Sequence, residues 1–237
     1  MFVYGNYLAI FGTRFRTRTN PYLHTYVLVY NIYNRFNPTR VTELAFEGRY
    51  YDARMNLNGY VYIVARQQPN ATRPNPVPMF NINDNQGWVP MQSEAIFFFP
   101  GDYRVPQFIN LFCFNMEDAT NNMKMNLVSL VTDNAHQIYM TTSSLYLTVT
   151  RSDSQTYEDF TIIHKVYLED FYLIPFTDST ARGSVENQFS MDEETNSQSF
   201  RIITSTFRAR TASNGVYVNT FSFDLTRISE LFTGFAE

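Results

Sequence analysis

Three consecutive carboxylates are the residues of this chain best suited to metal chemistry. Asp192, Glu193 and Glu194 follow one another directly, and carboxylate oxygens are ligands that calcium prefers. Their spacing differs from that of known calcium-binding loops. The simpler alternative is a solvated turn between a strand over 188–191 and a strand over 200–206. The cluster gives a calcium hypothesis, and the sequence indicates no other cofactor.

The remaining polar residues form no recognisable catalytic set. His24, His136 and His164 are far apart in the sequence and lack partners at the spacing of a zinc site. No strand–turn–helix motif presents a nucleophilic serine. We therefore assign no catalytic residue, and the sequence favours a non-enzymatic role without establishing it.

A stretch over 67–106, rich in proline and asparagine, carries the other candidate sites. Asn70 begins the sequon Asn70-Ala71-Thr72, a glycosylation acceptor if the protein is secreted. Aromatic side chains on an exposed loop could contact a sugar or a partner chain; here they are Trp88, Phe97, Phe98 and Phe99. The alternative is a loop that folds back onto its own domain. The prolines predict that this loop contains no regular strands.

A recurring segment predicts the scaffold that must position these residues. A polar turn followed by a strand occurs four times, with the strands starting at Tyr7, Tyr60, Leu145 and Phe200. The steps are 53, 85 and 55 residues, and the stretch over 67–106 accounts for the long step. A period of about 50 residues made of short strands is typical of β-propeller blades.

The repeat therefore predicts an all-β fold, a β-propeller region of about four blades. The expected blades cover roughly 1–48, 49–133, 134–183 and 184–237. The stretch over 67–106 is expected to be a loop insertion in the second blade.

Composition narrows the class of protein further. Hydrophobic residues make up 44% of the 237 residues and charged residues 17%, which allows a large core and excludes a globally disordered chain. The net charge of -4 offers no basic surface for nucleic acid. No apolar run reaches the ~20 residues that a membrane-spanning helix needs. Cys113 is the only cysteine, so an internal disulfide is excluded.

Several longer motifs point to one family. A strand and turn over 25–38 resemble "vYDisdrsnP", and a passage over 46–55 resembles "EGrYvdsRMig". Further along, 162–165 resembles "xIHKf", 183–193 resembles "G-x-v-x-NQFSMDE" and 201–204 resembles "lRiaTT". In this order the motifs resemble those of a secreted β-propeller family that is distantly related to the WD-repeat propellers. The resemblance spans nearly the whole chain.

This resemblance implies a fold and a location but no reaction. Family members usually have a signal peptide and more chain on both sides, so we expect this chain to be part of a larger propeller. The implied location is secreted or at the cell surface. The implied role is a structural or protein-interaction module in an extracellular assembly.

The expected partner is the remainder of the parent chain or another subunit that completes the propeller. Either a homo-oligomer or a polymer would achieve this. The alternative function is an extracellular enzyme or ligand-binding receptor with a site in the propeller channel.

Overall fold

A computed structural model describes residues 1–15, 23–69, 76–83, 87–98, 106–118, 123–133, 137–155, 158–194, 196–197, 199–206 and 215–234. Asn70, Phe99 and His136 lie outside the described residues. The described chain forms four β-sheets with two single turns of 3-10 helix. Nearly all strand pairs are antiparallel, and the all-β class predicted from the sequence is confirmed.

The first and second sheets each contain four antiparallel strands and additions from the insertion. The strands of the first sheet are β1 (Phe2–Tyr4), β2 (Tyr7–Arg14), β3 (His24–Asn31) and β4 (Thr39–Glu47), followed by β7 (Met79–Ile82) and β8 (Val89–Pro90). The strands of the second sheet are β5 (Arg49–Met55), β6 (Tyr60–Gln67), β10 (Gln107–Asn115) and β11 (Met125–Thr132), followed by β9 (Ile96–Phe98). The β9–β11 pair is parallel.

The third and fourth sheets are simple four-stranded meanders. The strands of the third sheet are β12 (Gln137–Met140), β13 (Ser144–Ser152), β14 (Asp159–Glu169) and β15 (Tyr172–Arg182). The strands of the fourth sheet are β16 (Met191–Glu194), β17 (Ser199–Thr206), β18 (Gly215–Phe221) and β19 (Arg227–Gly234). Within each of these sheets, neighbouring strands follow one another in sequence.

The repeat residues occupy matching places in the four sheets. Tyr7 and Tyr60 are the first residues of β2 and β6, and Leu145 and Phe200 are the second residues of β13 and β17. Each of these strands is second in its own sheet. The spacing of the recurring segment therefore marks the same strand in every sheet.

The insertion is more regular than its prolines predict, and this prediction is wrong. Residues 79–82 form β7, which pairs with β4, and β8 pairs with β7. Pro78 precedes β7 in the sequence, and Pro90 lies on β8, the last strand of the first sheet. An edge strand tolerates proline because the backbone on its outer side makes no hydrogen bonds to a neighbouring strand. The insertion thus widens the first sheet, and β9 adds to the second.

The chain divides into two compact units. Unit 1 is Met1–Asp133 with Glu169–Leu173, and unit 2 is Asn134–Leu168 with Ile174–Glu237. In unit 1 the first and second sheets share an apolar core, in which the rings of Phe46 and Phe112 stack with centroids 3.3 Å apart. In unit 2 the third and fourth sheets share a core, in which Tyr146 and Phe200 stack at 3.9 Å.

Among the described residues, no helix has the length and apolar character that crossing a membrane would require.

Candidate functional site

The three carboxylates of the calcium hypothesis do not converge. They lie on β16, where successive side chains point to opposite faces of the sheet. Asp192 and Glu194 are exposed, and their carboxylates lie 2.9 and 3.6 Å from the guanidinium of Arg201. Glu193 points the other way and is buried. Across the described parts of the chain, no group of three or more His, Cys, Asp or Glu side chains is placed to hold a metal ion.

The position of these residues also differs from the expected turn. Residues 188–190 form one turn of 3-10 helix, and the strand begins at Met191. Asn187 caps this turn, with its side-chain oxygen accepting a hydrogen bond from the backbone N–H of Phe189 at 2.9 Å. The acidic residues are therefore strand residues that pair with β17.

Glu193 is the centre of a buried polar network in unit 2. Its carboxylate accepts hydrogen bonds from the hydroxyls of Thr141 at 2.7 Å and Ser144 at 2.8 Å. The ammonium of Lys165, on β14, lies 4.0 Å from the same carboxylate. The network links the turn before β13, the strand β14 and the strand β16.

Lys165 is fully buried and held from several sides. Its ammonium donates a hydrogen bond to the Phe223 carbonyl at 2.8 Å. It also lies 3.9 Å from the centroid of the Phe223 ring and 5.3 Å from that of Tyr146. Burial lowers the pKa of Lys165, while the carboxylates of Glu193 and Asp224 oppose that shift.

A buried lysine of lowered pKa can act as a nucleophile in an open site. Here no part of the side chain reaches solvent, and its ammonium is bound to a backbone carbonyl. The arrangement instead fixes neighbouring strands in place.

A second buried network occupies unit 1. Asn110 on β10 donates to the Glu47 carbonyl at 2.9 Å and to the Gln67 side-chain oxygen at 2.8 Å. The hydroxyl of Ser129 donates to the Asn110 side-chain oxygen at 2.7 Å. The Glu47 carboxylate accepts from the side chain of Gln67 at 2.9 Å and from the backbone N–H of Met79 at 3.1 Å. Glu47 therefore bridges both sheets of this unit and the start of β7.

The turn at Asp170 forms a third set of polar contacts, also in unit 1. Asp170 has a left-handed backbone with φ of 46°. Its carboxylate accepts from the amides of Asn56 and Asn58 at 3.1 and 3.2 Å. Its carbonyl accepts from the Tyr62 hydroxyl at 2.8 Å and from the Cys113 thiol at 3.2 Å. Burial raises the pKa of the Cys113 thiol, so this cysteine is not a reactive one.

The two described histidines are buried in different units. His24 is buried in unit 1, with its ring 5.4 Å from the Trp88 ring in an edge-on arrangement. His164 is buried in unit 2. Burial, helped by the charge of Arg151, lowers the pKa of His164 to about 4. It is therefore a neutral side chain at physiological pH.

The described aromatic residues of the insertion lie on or beside strands of two different sheets. Trp88 lies just before β8 and packs on His24. Phe97 and Phe98 lie on β9, where Phe98 is 70% exposed. Beside them, unit 1 has an apolar cleft of about 280 Å³, which the sequence does not reveal. The cleft is lined by Phe80, Val89, Pro90, Met91, Gln92, Ala95, Met125, Asn126 and Leu127.

Glu47 and Lys165, which sequence reasoning missed, and Glu193, which it assigned to a calcium site, lie in the motifs of the family resemblance. Glu47 is in the passage over 46–55, Lys165 is in 162–165, and Glu193 ends the passage over 183–193. A charged residue inside an otherwise apolar strand was the available signal, since such residues are almost never buried without a partner. The sequence could not show which residues pair.

Comparison with known proteins agrees with the all-β fold. A family model described as the beta propeller domain matches residues 1–233. The chain belongs to this family of beta propeller domains. Searches of the curated proteins and of the solved structures gave no match.

Proposed function

We propose that this chain is a four-blade region of a β-propeller that acts as a structural and protein-interaction module in an extracellular assembly. The blades correspond to 1–48, 49–133, 134–183 and 184–237. The propeller fold hosts many functions, so the argument for this role must come from the surfaces of the sheets.

The burial of the four sheets is the observation that supports the proposal. Central strands of the second and third sheets have unbroken runs of buried residues, as in Gln107–Phe114 of β10 and Ser144–Val149 of β13. Because successive residues face opposite ways, both faces of these sheets are covered. In the first and fourth sheets burial alternates along β3 and β17. The alternate residues are exposed or half-buried along β17 and half-buried along β3, so each of these two sheets has one less covered face, called here its open face.

Exposed apolar side chains lie on these faces, among them Ile10 and Ile203, and such side chains favour contact with another protein surface over contact with water. Glu47 and Lys165, two charged residues of the family motifs, are in contrast used inside the fold. Exposed apolar side chains on a sheet face, with buried charges stabilising the interior, suit a module that assembles with other polypeptide chains.

The proposed location is outside the cell or on its surface. Its support is the resemblance of the motifs to a secreted family. Asn70 is the proposed glycosylation site. Comparing the mass of native protein before and after removal of glycans tests this proposal, and an unshifted mass in material from a glycosylating organism contradicts it.

Photo-crosslinking in the source organism tests the function. A photoreactive amino acid at Ile10 or Ile203 places the crosslinker on the open face of the first or fourth sheet. We expect crosslinks to other polypeptide chains, and we expect to find the crosslinked products in the medium or in the cell-surface fraction. Position Leu57, an exposed turn residue, is the control and should give few crosslinks. The proposal is contradicted if the protein stays inside the cell and positions Ile10 and Ile203 give no more crosslinks than Leu57.

Ligand binding is a second candidate function, because the cleft of unit 1 has a volume of about 280 Å³, close to the lower end of small-molecule sites. Trp88, the only tryptophan of the chain, directly precedes the cleft residue Val89. Binding of the probe anilinonaphthalene sulfonate can therefore be followed by energy transfer from Trp88. Ala95→Leu narrows the cleft and should abolish the transfer; equal transfer in wild type and variant would argue against binding there.

A further inference from the structure

The cleft of unit 1 is formed by strands of both its sheets. Phe80 on β7 is paired directly with Val89 on β8, and paired residues of adjacent strands point to the same face. Met125 and Leu127 lie two residues apart on β11 of the second sheet, so they also share one face. Phe80, Met125 and Leu127 pack against the apolar core of unit 1. Because this core is close-packed, that wall of the cleft is preformed.

The lining of the cleft is uncharged. All nine described residues that line it are apolar except the amides Gln92 and Asn126. Gln92 is exposed and therefore lies at the rim. The Asn126 side chain donates a hydrogen bond to the Phe171 carbonyl at 3.0 Å, and strand alternation directs it away from the side chains of Met125 and Leu127. An ionic ligand would lose its water here without gaining a partner of opposite charge, which is costly.

Two methionines give the lining a preference for aromatic rings. Met91 is 5% exposed and Met125 is half-buried, and both line the cleft together with the ring of Phe80. A thioether sulfur makes favourable contacts with aromatic rings, and its flexible side chain adapts to their shape. An apolar cavity of about 150 Å³ takes up benzene, whereas this cleft has a volume of about 280 Å³. It therefore accommodates a larger molecule than one ring.

We propose that the cleft of unit 1 binds uncharged aromatic molecules of about two fused rings. The inference rests on the second candidate function, ligand binding in this cleft, and gives the class of ligand. The rings lie among Phe80, Met91 and Met125, away from water. A polar substituent of the ligand points to Gln92 at the rim, where an amide can donate or accept a hydrogen bond.

Competition with a fluorescent probe tests the preference for an uncharged ligand. The probe is N-phenyl-1-naphthylamine, the uncharged counterpart of anilinonaphthalene sulfonate, and energy transfer from Trp88 reports its binding. Three competitors share the naphthalene ring: 2-naphthalenemethanol is neutral, 2-naphthoate is an anion and 2-naphthylmethylammonium is a cation at neutral pH. The alcohol should displace the probe at a concentration about tenfold or more below that of either ion. Equal displacement by the three compounds would overturn the proposal.

A charge introduced into the lining tests whether this cleft sets the preference. Ala95→Lys places a cation in the cleft and should make 2-naphthoate a better competitor than the alcohol. Gln92→Lys adds a cation at the exposed rim, where a longer side chain is accommodated, and should also favour 2-naphthoate. Leu57→Lys, on an exposed turn, is the control and should keep the wild-type order. The same order in all folded variants, as judged by near-ultraviolet circular dichroism, would contradict binding in this cleft.

Met91→Leu tests the preference for aromatic rings. Leucine keeps the apolar volume but removes the sulfur. In wild type, 2-naphthalenemethanol should compete about threefold better than its saturated decahydronaphthalene counterpart, and Met91→Leu should reduce this ratio. Met116→Leu makes the same change in the core of unit 1 and is the control. Equal competition by the aromatic and saturated alcohols in wild type would refute the aromatic class.

The outcomes separate the class of ligand from ligand binding itself. If neither the probe nor anilinonaphthalene sulfonate gives energy transfer that Ala95→Leu abolishes, both ligand binding in the cleft and this inference are wrong. If such transfer occurs but the neutral alcohol has no advantage over the two ions, the proposed class is wrong and the cleft remains a binding site.

Discussion

The ammonium of Lys165 lies 4.0 Å from the carboxylate of Glu193, and the two side chains are 0% and 6% exposed. The pair joins β14 of the third sheet to β16 of the fourth. Taking two charges out of water is costly, so such a pair persists where hydrogen bonds satisfy both partners. Thr141 and Ser144 do this for the carboxylate, and the Phe223 carbonyl does it for the ammonium.

Removing one partner of this pair should destabilise the protein strongly. Lys165→Met leaves the Glu193 carboxylate buried without its cation, which typically costs about 3–5 kcal/mol. The free energy of unfolding is measured by urea titration followed by circular dichroism. Lys165→Met combined with Glu193→Leu should recover much of the loss, because no buried charge remains.

Lys124→Met is the matched control, because Lys124 is exposed. This change should alter the free energy of unfolding by about 0.5 kcal/mol or less. A loss for Lys165→Met no greater than that of the control would show that the buried pair does not contribute to stability.

His164 should make stability fall as the pH is lowered. Its pKa is about 4 in the folded protein against a usual value of 6.5. Between these values the unfolded chain takes up a proton that the folded chain does not, so acid favours unfolding. The contribution of neutral His164 to the free energy of unfolding is fully present above pH 6.5, and it is lost progressively as the pH falls to about 4. The difference between the two pKa values corresponds to about 3 kcal/mol in the free energy of unfolding.

The comparison of wild type with His164→Gln isolates this effect, because the other titrating groups are common to both proteins. Urea titrations at pH 7 and pH 4.5 should show a smaller loss of stability in the variant. Equal losses in the two proteins would exclude His164 as a cause of the pH dependence.

Cys113 should be unreactive in the folded protein. Its thiol is buried and bonded to the Asp170 carbonyl, and burial raises its pKa. Since the thiolate is the reactive form, Ellman's reagent should modify no thiol in native protein and one per chain in urea. Asp170→Ala removes the acceptor for Asn56 and Asn58 and should accelerate labelling, whereas Asp170→Asn keeps an acceptor and should label slowly. Rapid labelling of the native wild type would contradict this account of the turn.

Gly48 should tolerate no side chain. Its φ is +111°, and a Cβ atom there would lie 2.9 Å from the backbone carbonyl oxygen of Arg66. Gly48→Ala combines backbone strain with a steric clash and should cost more than about 2 kcal/mol. Gly5→Ala is the control, since Gly5 also has positive φ but has no atom within 4 Å of the added Cβ; it should cost only about 1 kcal/mol. Thermal unfolding compares the two, and equal costs would mean that the close approach to Arg66 is unimportant.

The sequence alone predicts the all-β class and the strand that repeats in each sheet. Tyr7, Tyr60, Leu145 and Phe200 mark the second strands because a polar turn and an apolar strand are local features of neighbouring residues. The motif over 46–55, which contains Glu47 and Gly48, can likewise be recognised from consecutive residues alone. The family resemblance follows from these motifs, and the family model over 1–233 confirms its β-propeller part.

Tertiary structure decides which polar residues meet. Glu193 belongs to an acidic cluster in the sequence, but strand alternation turns it away from Asp192 and Glu194 and into contact with a lysine of another sheet. Asn110 binds the carbonyl of Glu47, 63 residues away. The insertion supplies β7 and β8 to the first sheet although the sequence places it within the second. Such pairings depend on how sheets pack face to face, and no local pattern encodes that packing. For this reason the sequence could not show that Glu193 and Glu47 bind partners inside the fold.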